Sequence, residues 1–237
     1  TPVLPLVTMA TMCDSTAGPC MNTPLVIAAH GTRLPEGQAA CRALVARVAS
    51  MLPGVEVVEA RVADSADLAR LLRGVDAVVN LAGILHDRDG RTPFGRRFAA
   101  VHAELPARIV AAMSAAGVRR LIQIGALKAA ADAPSAYLRS KAAGEAAVLA
   151  AAATLDVTVF RLSLVVGHDD AFLNRFAALV DALPLIPLAG SRTRFQPVFV
   201  GDVVNAIVAS LTRAEAFGQA AAQLQAVESR PRTVVPE

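Results

Sequence analysis

Aromatic residues are scarce in this chain of 237 residues, where they make up 4% of the sequence, with no tryptophan and a single tyrosine, Tyr137. A core with so few rings must be built mainly from Ala, Val and Leu. Charged residues are also few, at 18% against 54% hydrophobic residues, and this balance excludes a disordered protein. The length suits one sizeable domain with a full core, or at most two small ones.

Clustered positive charge is missing as well. The net charge is +3, and the arginines are scattered or at most doubled, as in Arg96-Arg97 and Arg119-Arg120. Because nucleic-acid binding needs a basic patch, we expect no nucleic-acid partner and interpret these arginines as solvated surface residues.

The sequence also lacks long apolar runs and an even number of cysteines. No apolar run reaches the length of a membrane span without Asp, Glu, Arg or Pro, which predicts no membrane span. Cys13, Cys20 and Cys41 have no metal-ligand spacing and leave an odd thiol. This favours a reducing compartment, and we predict a cytoplasmic protein.

The pattern of the chain divides it into three parts. Residues 1–24 contain four prolines and no basic start, which predicts a disordered leader rather than a signal peptide. Over residues 25–218, apolar strands alternate with amphipathic helices, as is typical of one α/β domain with a parallel sheet. The tail, residues 219–237, has weak periodicity, and we expect it to fray.

The elements of this domain follow from periodicity and helix-end signals. Strands are predicted at Leu25–Ala29, Val55–Glu59, Asp76–Leu81, Arg119–Ile124 and Val157–Arg161. Helices are predicted at Pro35–Met51, Ser65–Leu72, Phe98–Ala116 and Ser135–Ala153, with a last one capped by Asp202 and running through Leu211. Residues 170–195 are predicted to be irregular and could cap a pocket.

Tyr137 and Lys141 stand four residues apart on a predicted helix, and this spacing places their side chains on one face. A nearby ammonium stabilises phenolate, so we expect the pKa of the tyrosine to fall from about 10 toward neutrality. Such a pair is suited to moving a proton in a carbonyl/alcohol interconversion. The alternative is a half-buried tyrosine beside a lysine whose stem lies along the apolar surface.

Five segments in a fixed order carry a resemblance to a known family: Gly74–Leu85, Ala116–Ile124, Ala133–Glu145, Val157–Arg161 and Phe195–Val203. Over about residues 53–218 the chain resembles the atypical short-chain dehydrogenase/reductases, which include proteins similar to NAD-dependent epimerases and dehydratases. Within them it is most similar to the branch related to the nucleotide-binding accessory subunit of respiratory complex I. The resemblance implies a Rossmann-like, doubly wound fold of three layers with a mainly parallel sheet, which binds NAD(P) at the strand C-termini.

The resemblance also implies roles for particular residues. Tyr137 would be the general acid/base, and Lys141 would lower its pKa and contact the nicotinamide ribose. Ala82 and Gly83 would let the backbone approach the cofactor. The other predicted cofactor-binding residues are Gly31, Thr32, Arg61, Val62, Leu81 and Ile124.

The glycine loop departs from the family pattern. Dinucleotide binding uses three glycines after the first strand, so that backbone N–H groups and a helix N-terminus meet the pyrophosphate. Here Gly31 and Gly37 remain, with Pro35 and Glu36 near the expected anion. We therefore predict weak NAD(P) binding, poorer than about 100 μM.

If Val55–Glu59 takes the place of the family strand that reads the adenosine ribose, Glu59 or Arg61 would lie near the ribose, and Arg61 would favour a 2′-phosphate. Arg61 also stands where the family usually has an Asp that contacts adenine.

A second departure lies at Gly125, where the family commonly has a serine that polarises the substrate carbonyl. Losing one such donor typically costs about two to three orders of magnitude in rate. Leu162 also replaces a usual proline after Arg161. Any catalysis by Tyr137 is therefore expected to be slow.

The segment Leu25–Val57 resembles a different family, the small sirohydrochlorin chelatases. In that resemblance His30 would bind the metal or take the pyrrole proton. The second metal-binding histidine of that family has no counterpart here, since the remaining histidines are His86, His102 and His168 in other contexts. We therefore predict no metal site.

Three functions remain in view from the sequence. The first is an NAD(P)-binding protein with weak oxidoreductase activity on a small carbonyl or alcohol, bound near residues 165–195. The second is a non-catalytic nucleotide-binding or assembly subunit of a respiratory-type complex, with a protein partner. The third is metal insertion through His30.

Overall fold

The computed structural model describes residues 6–12, 25–29, 46–47, 50, 55–61, 65–167, 177–181 and 196–212. His30, Gly31, Thr32, Val62 and His168 lie outside these ranges, as does nearly all of the predicted helix Pro35–Met51. Ala46, Arg47 and Ser50, from the end of that segment, are helical.

Six strands form the main sheet: β1 (Leu6–Met12), β2 (Leu25–Ala29), β3 (Val55–Arg61), β4 (Ala77–Asn80), β5 (Arg120–Ala126) and β6 (Asp156–Leu162). Their order across the sheet is β3-β1-β2-β4-β5-β6. The pairs β2–β4, β4–β5 and β5–β6 are parallel, whereas β1 is antiparallel to both β2 and β3. Two short parallel strands, β7 (Val165–Val166) and β8 (Val198–Phe199), form a separate ladder.

The helices are α1 (Ser65–Leu71), α2 (Arg96–Phe98), α3 (Leu105–Ala116), α4 (Ala136–Leu149) and α5 (Val200–Thr212). A π-helical turn, Ala99–Glu104, joins α2 to α3 without a break. The predicted helix Phe98–Ala116 is thus confirmed in position, although its first part has an irregular winding. Since α5 begins at Val200, Asp202 lies in its first turn and is not its N-cap as we had predicted. Residues 177–181 are helical, within the segment that we had predicted to be irregular.

Apolar side chains leave the sheet on both faces, because neighbouring residues of a strand point to opposite sides. On one face Val78 and Leu121 join a core cluster with residues of α1, α3 and α4. On the other face Val79, Ile122 and Phe160 pack with α5. Strands covered by helices on both faces are typical of parallel sheets. The three-layer, mainly parallel, Rossmann-like fold predicted from the sequence is therefore confirmed.

The first strand corrects one prediction. We had assigned residues 1–24 to a disordered leader, but Leu6–Met12 forms β1, which lies between β2 and β3. Leu6 pairs with Ala29 of β2 and with Arg61 of β3. The segment consists of apolar and β-branched residues that favour a strand, and proline positions around it obscured that signal. The domain therefore includes residues before Leu25.

A close contact fixes α4 against the π-helical turn. A Cβ atom added at Gly144 would overlap the carbonyl oxygen of His102 and lie 3.2 Å from Cγ of Pro106. The helix can approach the turn only because residue 144 has no side chain.

We predict that Gly144→Ala lowers the free energy of unfolding by about 2 to 3 kcal/mol, as overpacked cores commonly do. The free-energy cost of the clash exceeds the gain of about 1 kcal/mol from the higher helix propensity of alanine, because backbone atoms must move to relieve the clash. Chemical denaturation measures the change. Gly90→Ala is the matched control, since among the described residues nothing lies within 4 Å of its added Cβ. Equal stability of the two variants would contradict the prediction.

Candidate functional site

The helix that carries Tyr137 and Lys141 begins at a well-defined cap. Ser135 is the N-cap of α4, and its Oγ accepts a hydrogen bond from the backbone N–H of Leu138 at 3.2 Å. Arg139 donates from its guanidinium to the carbonyl oxygens of Ala133 and Pro134, and to that of Pro93 in the loop before α2. These bonds fix the first turn of α4, and with it Tyr137, relative to its surroundings.

Lys141 is buried, with 6% of its surface exposed, and it reaches the tips of two parallel strands. Its Nζ donates to the carbonyl oxygen of Ala82 at 3.3 Å and to that of Ile124 at 3.2 Å. Burial lowers the pKa of Lys141 to about 8, because desolvation disfavours the charged form. At neutral pH the group is still mainly an ammonium, held at the C-terminal edge of the sheet.

Gly83 adjoins this ammonium. A Cβ at residue 83 would lie 3.3 Å from Nζ of Lys141, closer than most such contacts allow. The structure thus brings together Lys141, Ala82, Gly83 and Ile124 from the predicted cofactor-binding set. That they bind a cofactor stays a prediction.

Tyr137 lies among aromatic rings. Its ring meets those of Phe98 and His102 edge to face, with centroids 6.1 Å and 5.5 Å away. Burial raises the pKa of the phenol above its ordinary value. Our expectation of a lowered pKa is wrong, because Lys141 donates to two backbone carbonyls and the burial of Tyr137 is the dominant effect.

A buried hydrogen-bond chain, which the sequence analysis did not anticipate, connects this region. The backbone N–H of Ile84 donates to Nε2 of His102 at 3.0 Å, and Nδ1 of His102 lies 2.8 Å from Oγ of Ser140. Ser140 donates in turn to the carbonyl oxygen of Tyr137 at 2.7 Å. A signal for it was present in the sequence, since His102 stands between apolar residues of an amphipathic helix.

Gly125 faces an ion pair between the buried carboxylate of Glu145 and the exposed side chain of Arg161, which the sequence did not reveal. Glu145, four residues beyond Lys141 and 5% exposed, accepts from Nε of Arg161 at 3.0 Å and 3.1 Å and from its Nη2. A Cβ at Gly125 would lie 3.3 Å from Oε2 of Glu145 and 3.3 Å from Val159. The position where the family commonly has a serine is therefore bordered closely by a carboxylate.

Two buried amides order the strand ends beneath the site. Asn80, the last residue of β4, donates from Nδ2 to Oε1 of Gln123 at 2.8 Å. Oδ1 of Asn80 accepts from the backbone N–H of Ala82 at 3.1 Å. These bonds hold the chain that leads into Gly83.

Two other predicted cofactor-binding residues, Leu81 and Arg61, do not join the group formed by Lys141, Ala82, Gly83 and Ile124. Leu81 packs against the core cluster on the α5 face of the sheet. Arg61 ends β3, and β1 separates that strand from β2, so Arg61 is two strands, about 10 Å, from the end of β2. In this sheet β1, and not the strand Val55–Arg61, lies next to β2.

Neither a metal-ligand cluster nor a membrane-spanning helix occurs among the described residues. Within the described ranges, no group of three or more His, Cys, Asp or Glu side chains could hold a metal ion. Likewise, the part of the chain that the structure describes contains no helix long and apolar enough to cross a membrane.

We predict that the phenol of Tyr137 ionises with a midpoint above about 10, the ordinary value for tyrosine. Because the chain has one tyrosine and no tryptophan, ultraviolet absorbance titration reports this group alone. A midpoint below the ordinary value would show that Lys141 stabilises the phenolate more than burial destabilises it. Absorbance of the chain unfolded in denaturant provides the unperturbed reference.

The curated proteins that are similar to this chain in sequence share one name. The chain is 36% identical over 141 residues to the mitochondrial NADH dehydrogenase [ubiquinone] 1 alpha subcomplex subunit 9 of Arabidopsis thaliana, covering 58% of this chain and 35% of that protein. It is 34% identical to the Mus musculus protein of the same name, covering 66% of this chain and 40% of that protein. The chain thus matches less than half the length of these relatives. Because they are mitochondrial, our cytoplasmic prediction is contradicted.

Solved structures share the fold. A double mutant of DesIV, a dTDP-glucose 4,6-dehydratase from Streptomyces venezuelae with NAD and DAU bound, is similar with a TM-score of 0.51 and 25% identity, over 62% of this chain and 52% of that one. The UDP-glucuronic acid 4-epimerase from Bacillus cereus, in complex with NAD, has a TM-score of 0.53 and 19% identity, over 65% of this chain and 56% of that one.

The family match settles the classification. The model of the NAD dependent epimerase/dehydratase family matches residues 31–222. That range includes most of the segment Leu25–Val57, so the resemblance of this segment to chelatases gains no support. The ordered motifs, the doubly wound sheet and this match agree: the chain belongs to the NAD dependent epimerase/dehydratase family.

Proposed function

We propose that this chain is an NAD(P)-binding protein whose main role is to hold the nucleotide within a larger protein assembly, with slow hydride transfer at most. The observation that carries the proposal is the ammonium of Lys141 at the C-terminal ends of two parallel strands, beside the backbone of Gly83. In doubly wound sheets, ligands bind at this edge, outside the carboxyl ends of the strands.

The residues present fit a dinucleotide in two respects. Gly83 has no side chain, so the ammonium of Lys141 can lie directly against the backbone there, with Nζ 3.3 Å from where a Cβ would be. Lys141 adds a positive charge and donors that suit ribose hydroxyl and phosphate oxygens. NAD(P), when bound, would supply the hydride-transfer chemistry; the chain's own part is to bind and orient it.

Slow chemistry is the expectation for three reasons. Gly125 offers no hydroxyl donor for a substrate carbonyl. Burial raises the pKa of Tyr137, so the phenol keeps its proton at neutral pH and is a poor base. Glu145 places a carboxylate beside Gly125, where negative charge on a substrate oxygen would be disfavoured.

The assembly role draws on the relatives. They carry the name of a subunit of a respiratory NADH dehydrogenase, and the present chain spans 35–40% of their length. A protein partner for this chain is therefore part of the proposal, with the small-molecule substrate, if there is one, unidentified.

Weak oxidoreductase activity on a small carbonyl or alcohol is the second candidate. It is favoured by Tyr137 and Lys141, which share one helical face, and by the pKa of Lys141 near 8. In this function Tyr137 would donate its proton to the substrate oxygen, and Lys141 would supply positive charge nearby.

We predict that NADPH binds with a dissociation constant above about 100 μM and that Lys141→Met weakens it about tenfold, because hydrogen bonds to a charged group are lost. NADPH fluorescence titration measures both. Lys128→Met is the matched control, since Lys128 is the other lysine of the chain and is exposed. Equal affinity of the two variants, or no binding by the wild type, would contradict the proposal.

The affinity of the wild type should also fall as the pH rises through about 8. The ammonium of Lys141 exists below its pKa and is lost above it, so binding that depends on the charge weakens in that range. In Lys141→Met the same titration should be flat there. A wild-type affinity that is constant from neutral to alkaline pH would show that the charge does not contribute.

We predict that Gly125→Ser raises the rate of NADPH oxidation by small aldehydes and ketones about 100-fold, because a hydroxyl donor then reaches the carbonyl. NADPH affinity should stay the same. Gly125→Ala is the control, since it adds the same Cβ beside Glu145 without the hydroxyl. If Gly125→Ser and Gly125→Ala react equally slowly, the missing donor is not what limits catalysis.

A further inference from the structure

His102 lies at the centre of the packed region between β4, the π-helical turn and α4. Its imidazole is 2% exposed and stacks on Phe98 with ring centroids 5.2 Å apart and planes inclined by 21°. The ring of Tyr137 lies nearly perpendicular to it, with centroids 5.5 Å apart. The ring is thus held in one orientation by packing before its hydrogen bonds are considered.

The hydrogen bonds of His102 select one tautomer. The backbone N–H of Ile84 can only donate, so Nε2, 3.0 Å away, must present its lone pair. Nδ1 then carries the proton and donates to Oγ of Ser140, whose hydroxyl hydrogen goes to the carbonyl oxygen of Tyr137. In this hydrogen-bond chain each donor is thus matched with an acceptor.

The two ends of this hydrogen-bond chain, Ile84 and Ser140, lie in different parts of the candidate site. Ile84 directly follows Gly83, where β4 passes into the loop beside Lys141. Ser140 lies between Tyr137 and Lys141 on α4 and is fully buried. His102 therefore connects the backbone at Gly83–Ile84 to the helix that carries the two candidate functional side chains.

The main chain around His102 supports the same connection. The residue is part of the π-helical turn Ala99–Glu104, a form that is rare and frequently found at functional sites. The carbonyl oxygen of His102 packs against Gly144 so closely that no side chain fits between them. Backbone and side chain of one residue thus contact α4 at two points.

We propose that His102 is a positioning residue: as the neutral Nδ1–H tautomer, it fixes the Gly83–Ile84 backbone relative to Tyr137 and Lys141. The effect of His102 on nucleotide affinity rests on the proposed function. The hydrogen-bonded connection from Ile84 through His102 to Ser140 does not. His102 does not touch the reacting atoms in this role; it acts through the backbone at residue 84 and through Ser140.

The tautomer is tested by NMR of the full chain with ¹⁵N-labelled histidine. Multiple-bond proton–nitrogen correlations distinguish a protonated Nδ1 from a protonated Nε2. We expect the signals of His102 to show protonated Nδ1 and a lone pair at Nε2 at neutral pH. A protonated Nε2 would overturn the proposal, because the bond from Ile84 could not then exist.

The connection to Ile84 is tested by His102→Phe, which keeps an aromatic ring against Phe98 and removes both hydrogen bonds. We expect amide exchange at Ile84 to accelerate about tenfold or more, since its buried N–H loses its acceptor. His86→Phe is the matched control, since His86 is exposed and two residues from Ile84. Equal exchange at Ile84 in both variants would overturn the proposal.

A second variant covers the case in which His102→Phe does not fold. Ser140→Ala removes the acceptor of Nδ1–H and leaves the ring in place, so exchange at Ile84 should rise severalfold. Ser114→Ala is its control, because Ser114 makes a similar bond to the carbonyl oxygen of Val110 on an exposed part of α3. Identical exchange in these two variants would also count against the connection.

NADPH fluorescence titration then measures the consequence for binding. We expect His102→Phe to weaken binding about tenfold relative to His86→Phe, because the Gly83 backbone is no longer held in place. Unchanged affinity would overturn the role of His102 in nucleotide positioning. If the wild type binds no NADPH, the proposed function fails, while the tautomer and the exchange at Ile84 still decide whether the connection exists.

Discussion

The ammonium of Lys141, bound by the carbonyl oxygens of Ala82 and Ile124, is the interaction on which the candidate site depends. It joins α4 to the tips of two neighbouring parallel strands, and its burial keeps water from competing for those bonds. The same burial lowers the pKa to about 8, so the charge that organises the site is retained only up to that range. Residue 83 must be small because Nζ of Lys141 lies next to it. The glycine that follows β4 is therefore required by the lysine on α4.

Electrostatics around this ammonium favour binding over catalysis. Tyr137 is half-buried beside the rings of Phe98 and His102, and burial raises its pKa. Glu145 and Arg161 pair with each other next to Gly125, and the carboxylate of Glu145 offers acceptors rather than a donor to a substrate oxygen. The described residues thus place a tyrosine and a lysine on one helix at this edge of the sheet, as the proposed function requires, while Gly125 has no hydroxyl donor. A nucleotide-holding subunit needs only the first part of this arrangement.

Much of the fold could be predicted from the sequence, because β4 and β5 are apolar strands buried on both faces and a helical segment follows each of them. The helix carrying Tyr137 and Lys141 was also predicted, and the four-residue spacing of these two residues places both side chains on one face. The position of β1 could not be predicted, since its antiparallel pairing between β2 and β3 depends on contacts distant in sequence. The raised pKa of Tyr137 and the chain from Ile84 through His102 to Ser140 depend on burial and on three-dimensional packing, which spacing alone does not contain.

The central claim is that a dinucleotide binds at the C-terminal edge of the sheet, over the backbone that Lys141 and His102 hold in place. NMR with ¹⁵N-labelled protein tests it most directly, by following the backbone amides as NADPH is added. The account predicts that the amides of Ala82, Gly83 and Gly125 shift in a saturable way, while those of Gly117 and Val118, at the opposite edge where β5 begins, do not. Shifts centred on Gly117 and Val118, or no saturable shifts at Gly83, would contradict it.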